Sequence, residues 1–399
     1  MIILGIETSC DETALSIIDV TENEQGTQIK ILANAVLSQI AIHTQYGGVF
    51  PMVAKREHGK NLTPLLKKVL EESGFSDSGE TNSKLDSLAT VLDREPELLK
   101  QLLDFLPTAK KPAIDLIAVT YGPGLEPALW VGVNFAKALS VAWDIPVVAT
   151  NHMEGHILIS LQQRNQDVQA NSYQLKALSL PALALLISGG HTELVLVRDW
   201  LNYEIVGRTR DDAIGEAFDK VARILGLPYP GGPQISALAE KARSQQLTAD
   251  SFSLPRPMLK SDNLDFSFSG LKTAVLYLTQ KLPQPLSEDN KMAIAREFED
   301  AATEVVIEKV RKAIDLYGIE TLILGGGVVA NKNIRSSFQK LTIEKNVTLH
   351  LPEISHSTDN ALMIAIAGYF NRTKSVTETT GLLDIKANGN LSFPSTPTV

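Results

Sequence analysis

Apolar residues along this chain fall into short unbroken blocks separated by polar or glycine-rich turns. Ile2–Glu7 reads as a buried strand, residues 8–13 as a polar turn and residues 14–19 as the strand that returns. The same design recurs later: residues 183–187 are an apolar run, Ser188-Gly189-Gly190-His191-Thr192 is a turn, and residues 193–197 return. Downstream segments match as well. Residues 116–120 form a strand before Gly122-Pro123-Gly124, followed by a helix over 131–143 and a short strand over 147–149 that delivers Asn151 and His152. In the second set, residues 322–324 precede Gly325-Gly326-Gly327, a helix starts near Asn331, and a strand over 347–351 leads into residues 356–360. Alternating strands and helices define an α/β class, and the repeated order implies an internal duplication. Open α/β sheets bind ligands beyond the carboxyl ends of their strands, so facing halves would bring these turns to one cleft.

The pattern divides the chain into a first lobe over residues 1–150 and a second over 151–399. Residues 76–111 interrupt it. They begin polar and continue as an amphipathic helix with Leu98, Leu99, Leu102, Leu103 and Leu106 on one side, an insertion read as surface decoration or a docking site. Residues 388–399 are polar and proline-containing, as expected of a frayed tail.

Composition narrows the function. The chain has 399 residues and is 44% hydrophobic and 21% charged, ordinary values for a globular protein. A single cysteine, Cys10, excludes a disulfide framework and a cysteine-rich zinc site. No apolar run is long enough to span a bilayer and no basic leader precedes Ile2, so the expected location is cytoplasmic with no membrane partner. A net charge of −9 argues against tight autonomous binding to a polynucleotide. Local basic groups exist at Lys55, Arg56 and Lys60, and at Arg256, Lys260 and Lys272 around Phe266 and Phe268. They are either ordinary surface charges or contacts to an RNA.

Asn151-His152-Met153-Glu154-Gly155-His156 is the strongest local signal. Histidines four apart at a helix start share a face and can share a metal; alternatively they are polar residues at a helix terminus. Met153 stands where a zinc protease places its general base, which disfavours a protease. The duplication puts Asp359 at the equivalent edge of the second half as a third ligand, with His356 a competing candidate. The turns at Ser188-Gly189-Gly190, Gly231-Gly232 and Gly325-Gly326-Gly327 allow backbone N–H groups to approach phosphate, while the absence of G-x-x-x-x-G-K-[ST] excludes a Walker-type NTPase. Asp212, Glu216 and Asp219 can share a helical face, either solvated or accepting bonds from a ribose. Asp11 and Glu12 are candidates for proton handling.

These segments resemble a known family. Residues 5–13, 151–156, 188–192, 211–220, 229–233, 265–272 (Asp265-Phe266-Ser267-Phe268-Ser269-Gly270-Leu271-Lys272) and 357–360 occur in the order and spacing of the TsaD/Gcp family, the tRNA threonylcarbamoyladenosine synthases once labelled O-sialoglycoprotein endopeptidases. The resemblance implies two actin/hexokinase-like (ASKHA) lobes around a central cleft. It also implies transfer of a threonylcarbamoyl group from threonylcarbamoyl-adenylate to the N6 amine of the tRNA adenosine at position 37, next to the anticodon, releasing AMP. By motif, His152, His156 and Asp359 would hold one divalent metal, iron(II) by family preference with zinc the other candidate. Leu186, Ile187, Ser188, Gly189 and Gly190 would line the substrate, and Asp219, Gly232 and Asn331 would contact the adenylate. A bacterial member would work with a paralogous actin-like subunit (TsaB-like) and a small ATPase (TsaE-like). Two departures stand out: Gly325 where the family usually has alanine, and Ser357 where it usually has cysteine. A metal-dependent glycoprotein endopeptidase and a non-catalytic actin-like partner remain the alternatives.

Overall fold

The structure is a computed structural model that describes residues 1–24, 26–75, 85, 87–164, 171–247 and 252–395. Two compact units emerge: Met1–Ala177 with Asp359–Ser392, and Leu178–Thr358 with Phe393–Val399. Among the described residues, the first unit holds a sheet of β1 (Ile2–Glu7), β2 (Glu12–Asn23), β3 (Gly26–Ser38), β4 (Leu116–Gly122), β5 (Val147–Asn151), β6 (Gln162–Arg164) and β7 (Ser172–Leu175), in the order β5-β4-β1-β2-β3-β7-β6. The second holds β8 (Ala182–Ile187), β9 (Thr192–Asp199), β10 (Asn202–Arg208), β11 (Thr321–Gly325) and β12 (Thr348–His350), in the order β10-β9-β8-β11-β12.

The duplication is explicit in the pairing. β1 runs antiparallel to β2 and β2 to β3, while β1 is parallel to β4 and β4 to β5. β8, β9, β10, β11 and β12 repeat that scheme strand for strand. β1 and β8 are almost wholly buried, which explains their unbroken apolar sequence: a central strand covered on both faces shows no polar alternation. β3 escapes the sequence reading because its exposed and buried positions are mixed with polar and small residues.

The division differs from a cut at 150/151. β5 feeds directly into the helix His152–Ile159, which packs on the helix Ala361–Phe370 inside the first unit. That second helix closes tightly on β1: a Cβ on Gly5 would lie 2.2 Å from the carbonyl oxygen of Ala361, so only glycine fits there. The chain therefore returns to the first unit at Asp359, bringing a late segment beside an early one.

Two further expectations change. Within the insertion, residues 76–84 and 86 lie outside the described residues, but the helix Pro96–Phe105 is no mere surface addition. Leu98, Leu102 and Leu106 are buried with Leu62, Leu66 and Leu139 in the core of the first unit, while Leu103 on the far side is exposed. Each such leucine contributes about 1.5–3 kcal/mol on leaving water. The tail is also held as far as residue 395. The amide of Asn388 donates to Tyr121 O at 2.8 Å, that of Ile205 donates to Pro394 O at 2.7 Å, and the Phe393 ring packs 4.7 Å from Tyr203.

Candidate metal and nucleotide sites

In the first unit, Asn151 caps the histidine-bearing helix, its side-chain oxygen accepting from the amides of Met153 and Glu154 at 2.8 and 3.4 Å. This fixes His152 at the first helical position, and His156 follows one turn later with its ring 4.8 Å away and perpendicular. Asp359 closes the group. One of its carboxylate oxygens lies 3.5 Å from His152 Nε2 and 3.2 Å from His156 Nε2, and one ligand atom from each residue falls within 4.8 Å of the others. His356 is not in this cluster and belongs to the second unit.

The donor set fits a divalent ion. Two imidazole nitrogens and a carboxylate oxygen each bond zinc at about 2.0–2.2 Å, which puts neighbouring donors near the observed separations and leaves positions open. His156 Nδ1 is buried with no hydrogen-bond partner among the described residues.

Glu7, at the end of β1, orients His152. Its carboxylate is fully buried and sits 3.0 Å from His152 Nδ1, while Thr120 Oγ1 donates to it at 2.6 Å and the Ser9 amide at 2.5 Å. With Nδ1–H donating to Glu7, Nε2 is the nitrogen turned towards Asp359, available to a metal once its proton is displaced. Burial pulls the His152 pKa down most, but Asp359 and Glu7 together outweigh it and lift it to about 10. Burial likewise pushes Asp359 up, and the two imidazoles more than reverse that, holding it well below the ordinary carboxylate range. Glu7 was visible in the sequence only as an acid ending an apolar strand. Asp11 and Glu12 occupy the β1–β2 turn of the same unit, and burial, then Asp359 and Asp11, raise Glu12 to about 9. Glu154, two positions after His152 and not at the general-base position that Met153 occupies, has its carboxylate engaged by Asn371 Nδ2 at 2.9 Å.

In the second unit, β8 ends at Ile187, so Leu186 and Ile187 are buried while Gly189 and Gly190 are exposed in the turn that follows. Ser188 closes that turn: its amide donates to His191 O at 2.9 Å and its hydroxyl accepts from the His191 amide at 3.1 Å. β11 ends alongside. Gly326, at φ +93°, presses on β8 so closely that a Cβ would meet Ile187 O at 2.4 Å. The glycine turns after β8 and β11 are thus neighbours, as their equivalent places in the sheet require.

Asp219, Gly232 and Asn331 converge on the helix Gly231–Ser244. Asp219 Oδ1 accepts from the Gly231 amide at 2.7 Å, Gly232 follows with open space where a Cβ would stand, and Asn331 Nδ2 donates to Ser236 Oγ at 2.7 Å. The same amide nitrogen donates to the buried Glu299 at 2.6 Å, an anchor the sequence reading missed. Asp212 and Glu216 do not join Asp219; both engage Lys220 at 2.7 Å, a paired acidic face. Within residues 265–272 the roles are structural. Phe266 and Phe268 are core, and Asp211 accepts from the Phe268 amide and two serine hydroxyls at the start of the helix Ser269–Gln280. Among the basic groups, Lys55 pairs with Glu95, Arg56 and Lys60 share Glu57, and Arg256 engages Glu297 and Glu304.

A duplicated five-strand scheme with turns at the carboxyl ends of its strands defines the class: an α/β protein of two actin/hexokinase-like lobes. The chain belongs to the TsaD family, tRNA N6-adenosine threonylcarbamoyltransferase, whose model matches residues 30–79 and 94–366, and it is a transferase acting on tRNA. Enzymes of that name from Thermosipho africanus and Paraburkholderia xenovorans are 41% and 42% identical over 371 and 369 residues. These matches cover 92% of this chain in both cases, and 94% and 91% of the respective relatives. Among solved structures, the activator of the 2-hydroxyisocaproyl-CoA dehydratase from Clostridium difficile aligns over 94% of this chain and 96% of that one, at TM-score 0.46 and 12% identity. No helix among the described residues is long and apolar enough to cross a membrane.

Proposed function

We propose that this transferase moves the threonylcarbamoyl group from threonylcarbamoyl-adenylate to the N6 amine of adenosine 37 in tRNAs that read codons beginning with adenine, releasing AMP. In balance, the amine nitrogen bonds to the carbamoyl carbon and the bond from that carbon to the phosphate oxygen breaks. AMP leaves with the electron pair, and the amine gives up one proton. The observation that carries the reading is the convergence of His152, His156 and Asp359 in a chain of this family.

His152, His156 and Asp359 would hold the divalent ion, with Glu7 fixing the His152 tautomer. Iron(II), or alternatively zinc, would supply Lewis acidity towards the carbamoyl or phosphate oxygens. Asp11 and Glu12 handle the amine proton. The exposed amides of Gly189 and Gly190, with Leu186, Ile187 and Ser188, cradle the acyl-phosphate end of the substrate. Asp219 orients Gly231 and Gly232 for close approach by the nucleotide, and Asn331, held by Glu299 and Ser236, borders it. An aromatic amine is a weak nucleophile, so orientation provides much of the rate. A paralogous actin-like subunit and a small ATPase complete the machinery, and the setting is the cytoplasm.

The test is reconstitution. The protein, with those partners, is incubated with threonine, bicarbonate, ATP, a threonylcarbamoyl-adenylate synthase and tRNA, and the digested tRNA is examined for the modified nucleoside. Its absence, with adenylate accumulating, would reject the reading.

A further inference from the structure

The segment that leaves β3 carries side chains no part of the reaction above uses. Tyr46, Phe50 and Met52 are 50%, 51% and 67% exposed, and the Tyr46 and Phe50 rings stand 5.1 Å apart at 45°. An exposed aromatic pair, with a further exposed apolar side chain two residues on, marks a surface that a partner covers.

Their position is defined by the sheet. Ser38, the last residue of β3, pairs with Glu12, and its hydroxyl lies 3.3 Å from the Glu12 carboxylate. The next residue, Gln39, donates its amide to Asp11 O at 2.9 Å. The aromatic segment therefore departs from the same sheet edge as the Asp11–Glu12 turn.

A buried chain of hydrogen bonds keeps it from collapsing. The Phe50 amide donates to His43 Nδ1 at 3.4 Å, which leaves the proton on His43 Nε2 to be donated to Gln39 Oε1 at 3.2 Å. Gln39 Nε2 lies 3.3 Å from His58 Nδ1, and His58 Nε2 donates to Cys10 O at 3.0 Å. Gln39, His43 and His58 are fully buried. One consistent set of tautomers thus ties the base of the aromatic pair to the backbone of the catalytic turn.

The substrate class of the family selects the occupant. The helix Pro51–Glu72 that Phe50 precedes carries Lys55, Arg56 and Lys60, ion-paired to Glu95 and Glu57, with the Arg56 side chain 61% exposed to solvent. Proteins that recognise RNA sequence splay loop bases and stack them on aromatic rings, with cations at the backbone. We propose that Tyr46 and Phe50, flanked by Met52, form a stacking platform for an unpaired base of the tRNA anticodon loop beside the adenosine that is modified. The inference rests on tRNA being the substrate.

An anticodon stem-loop RNA with 2-aminopurine next to the target adenosine reports stacking by loss of fluorescence. Titrated into the full chain at low ionic strength, it should be quenched by wild type and by Phe50→Trp. Tyr46→Ala and Phe50→Ala should each weaken its binding about five-fold or more. Both alanine positions are exposed, so their thermal unfolding and adenylate binding should match wild type. Unchanged stem-loop affinity and quenching in both alanine variants, with wild type binding normally, overturns the platform and leaves the transfer reaction standing. Loss of affinity for a protein subunit of the reconstituted system instead, with stem-loop binding intact, overturns it in favour of a protein-docking face. A wild type that neither binds the stem-loop nor modifies tRNA overturns both readings.

Discussion

His152 donates its Nδ1–H to Glu7 across 3.0 Å, joining residues 145 positions apart in the chain. The contact sets which nitrogen of His152 faces Asp359, and it does so from a strand end that cannot move without disturbing β1. Partners of this kind govern metal affinity. Glu7→Gln should weaken zinc binding about 10–100-fold while leaving the fold intact. Competition titration against a chelating dye measures this, and an unchanged affinity would falsify the orienting role.

Removing the ligands themselves should have a larger effect. The double variant His152→Ala, His156→Ala leaves only Asp359 of the three and should purify without stoichiometric metal. Elemental analysis beside a thermal unfolding curve distinguishes lost binding from lost structure. Metal content equal to wild type would mean that the ion, if bound, sits elsewhere.

Two glycines should respond differently. Gly326 has φ +93° and no room for a Cβ against Ile187 O, so Gly326→Val should destabilise the second unit by several kcal/mol, through clash and through strain. Gly232 has open space where its Cβ would stand, so Gly232→Val should fold normally and yet bind AMP more weakly, because a side chain blocks backbone approach. Calorimetry of AMP binding and of unfolding separates the two. Normal AMP affinity in Gly232→Val would remove Gly232 from the nucleotide site.

His58 predicts a pH dependence of stability. Burial, only partly opposed by its bond to Cys10 O and the charge of Glu7, lowers its pKa from 6.5 to about 4. Above pH 6.5 the ring is neutral folded and unfolded, and its contribution is constant. Between pH 6.5 and 4 only the unfolded chain takes up the proton, so stability falls as pH falls, by about 3 kcal/mol at the lower end. His58→Gln lacks that titration and should show a shallower decline over the same window in denaturant melts. Parallel declines would show that His58 is protonated in the folded state.

Much of this protein is written locally. Residues 2–6 are apolar without interruption because a strand covered on both faces favours it, and the bounds of Ile2–Glu7 in the sequence match those in the structure. Asn151 before His152 announces a helix cap, and a spacing of four positions between the histidines places them on one face, since a helix turns once in about 3.6 residues. Glycine after β8 and after β11 marks chain reversals at equivalent places. Leu98, Leu102 and Leu106 declare an apolar stripe, but a stripe does not say what covers it. Only packing showed that stripe to be part of the core of the first unit.

Longer relationships were decided by the tertiary structure. Asp359 reaches His156 over 203 residues because the chain re-enters the first unit and Gly5 lets the helix Ala361–Phe370 lie against β1. Glu7, Glu299 and the Asp219–Gly231 contact have no local pattern at all. A carboxylate reads the same in sequence whether it is solvated or buried against an imidazole, and burial depends on what other segments bring to it. Local spacing is set within a few residues by the geometry of one helix or strand. Convergence is set by the order in which strands pair, a property of the whole chain.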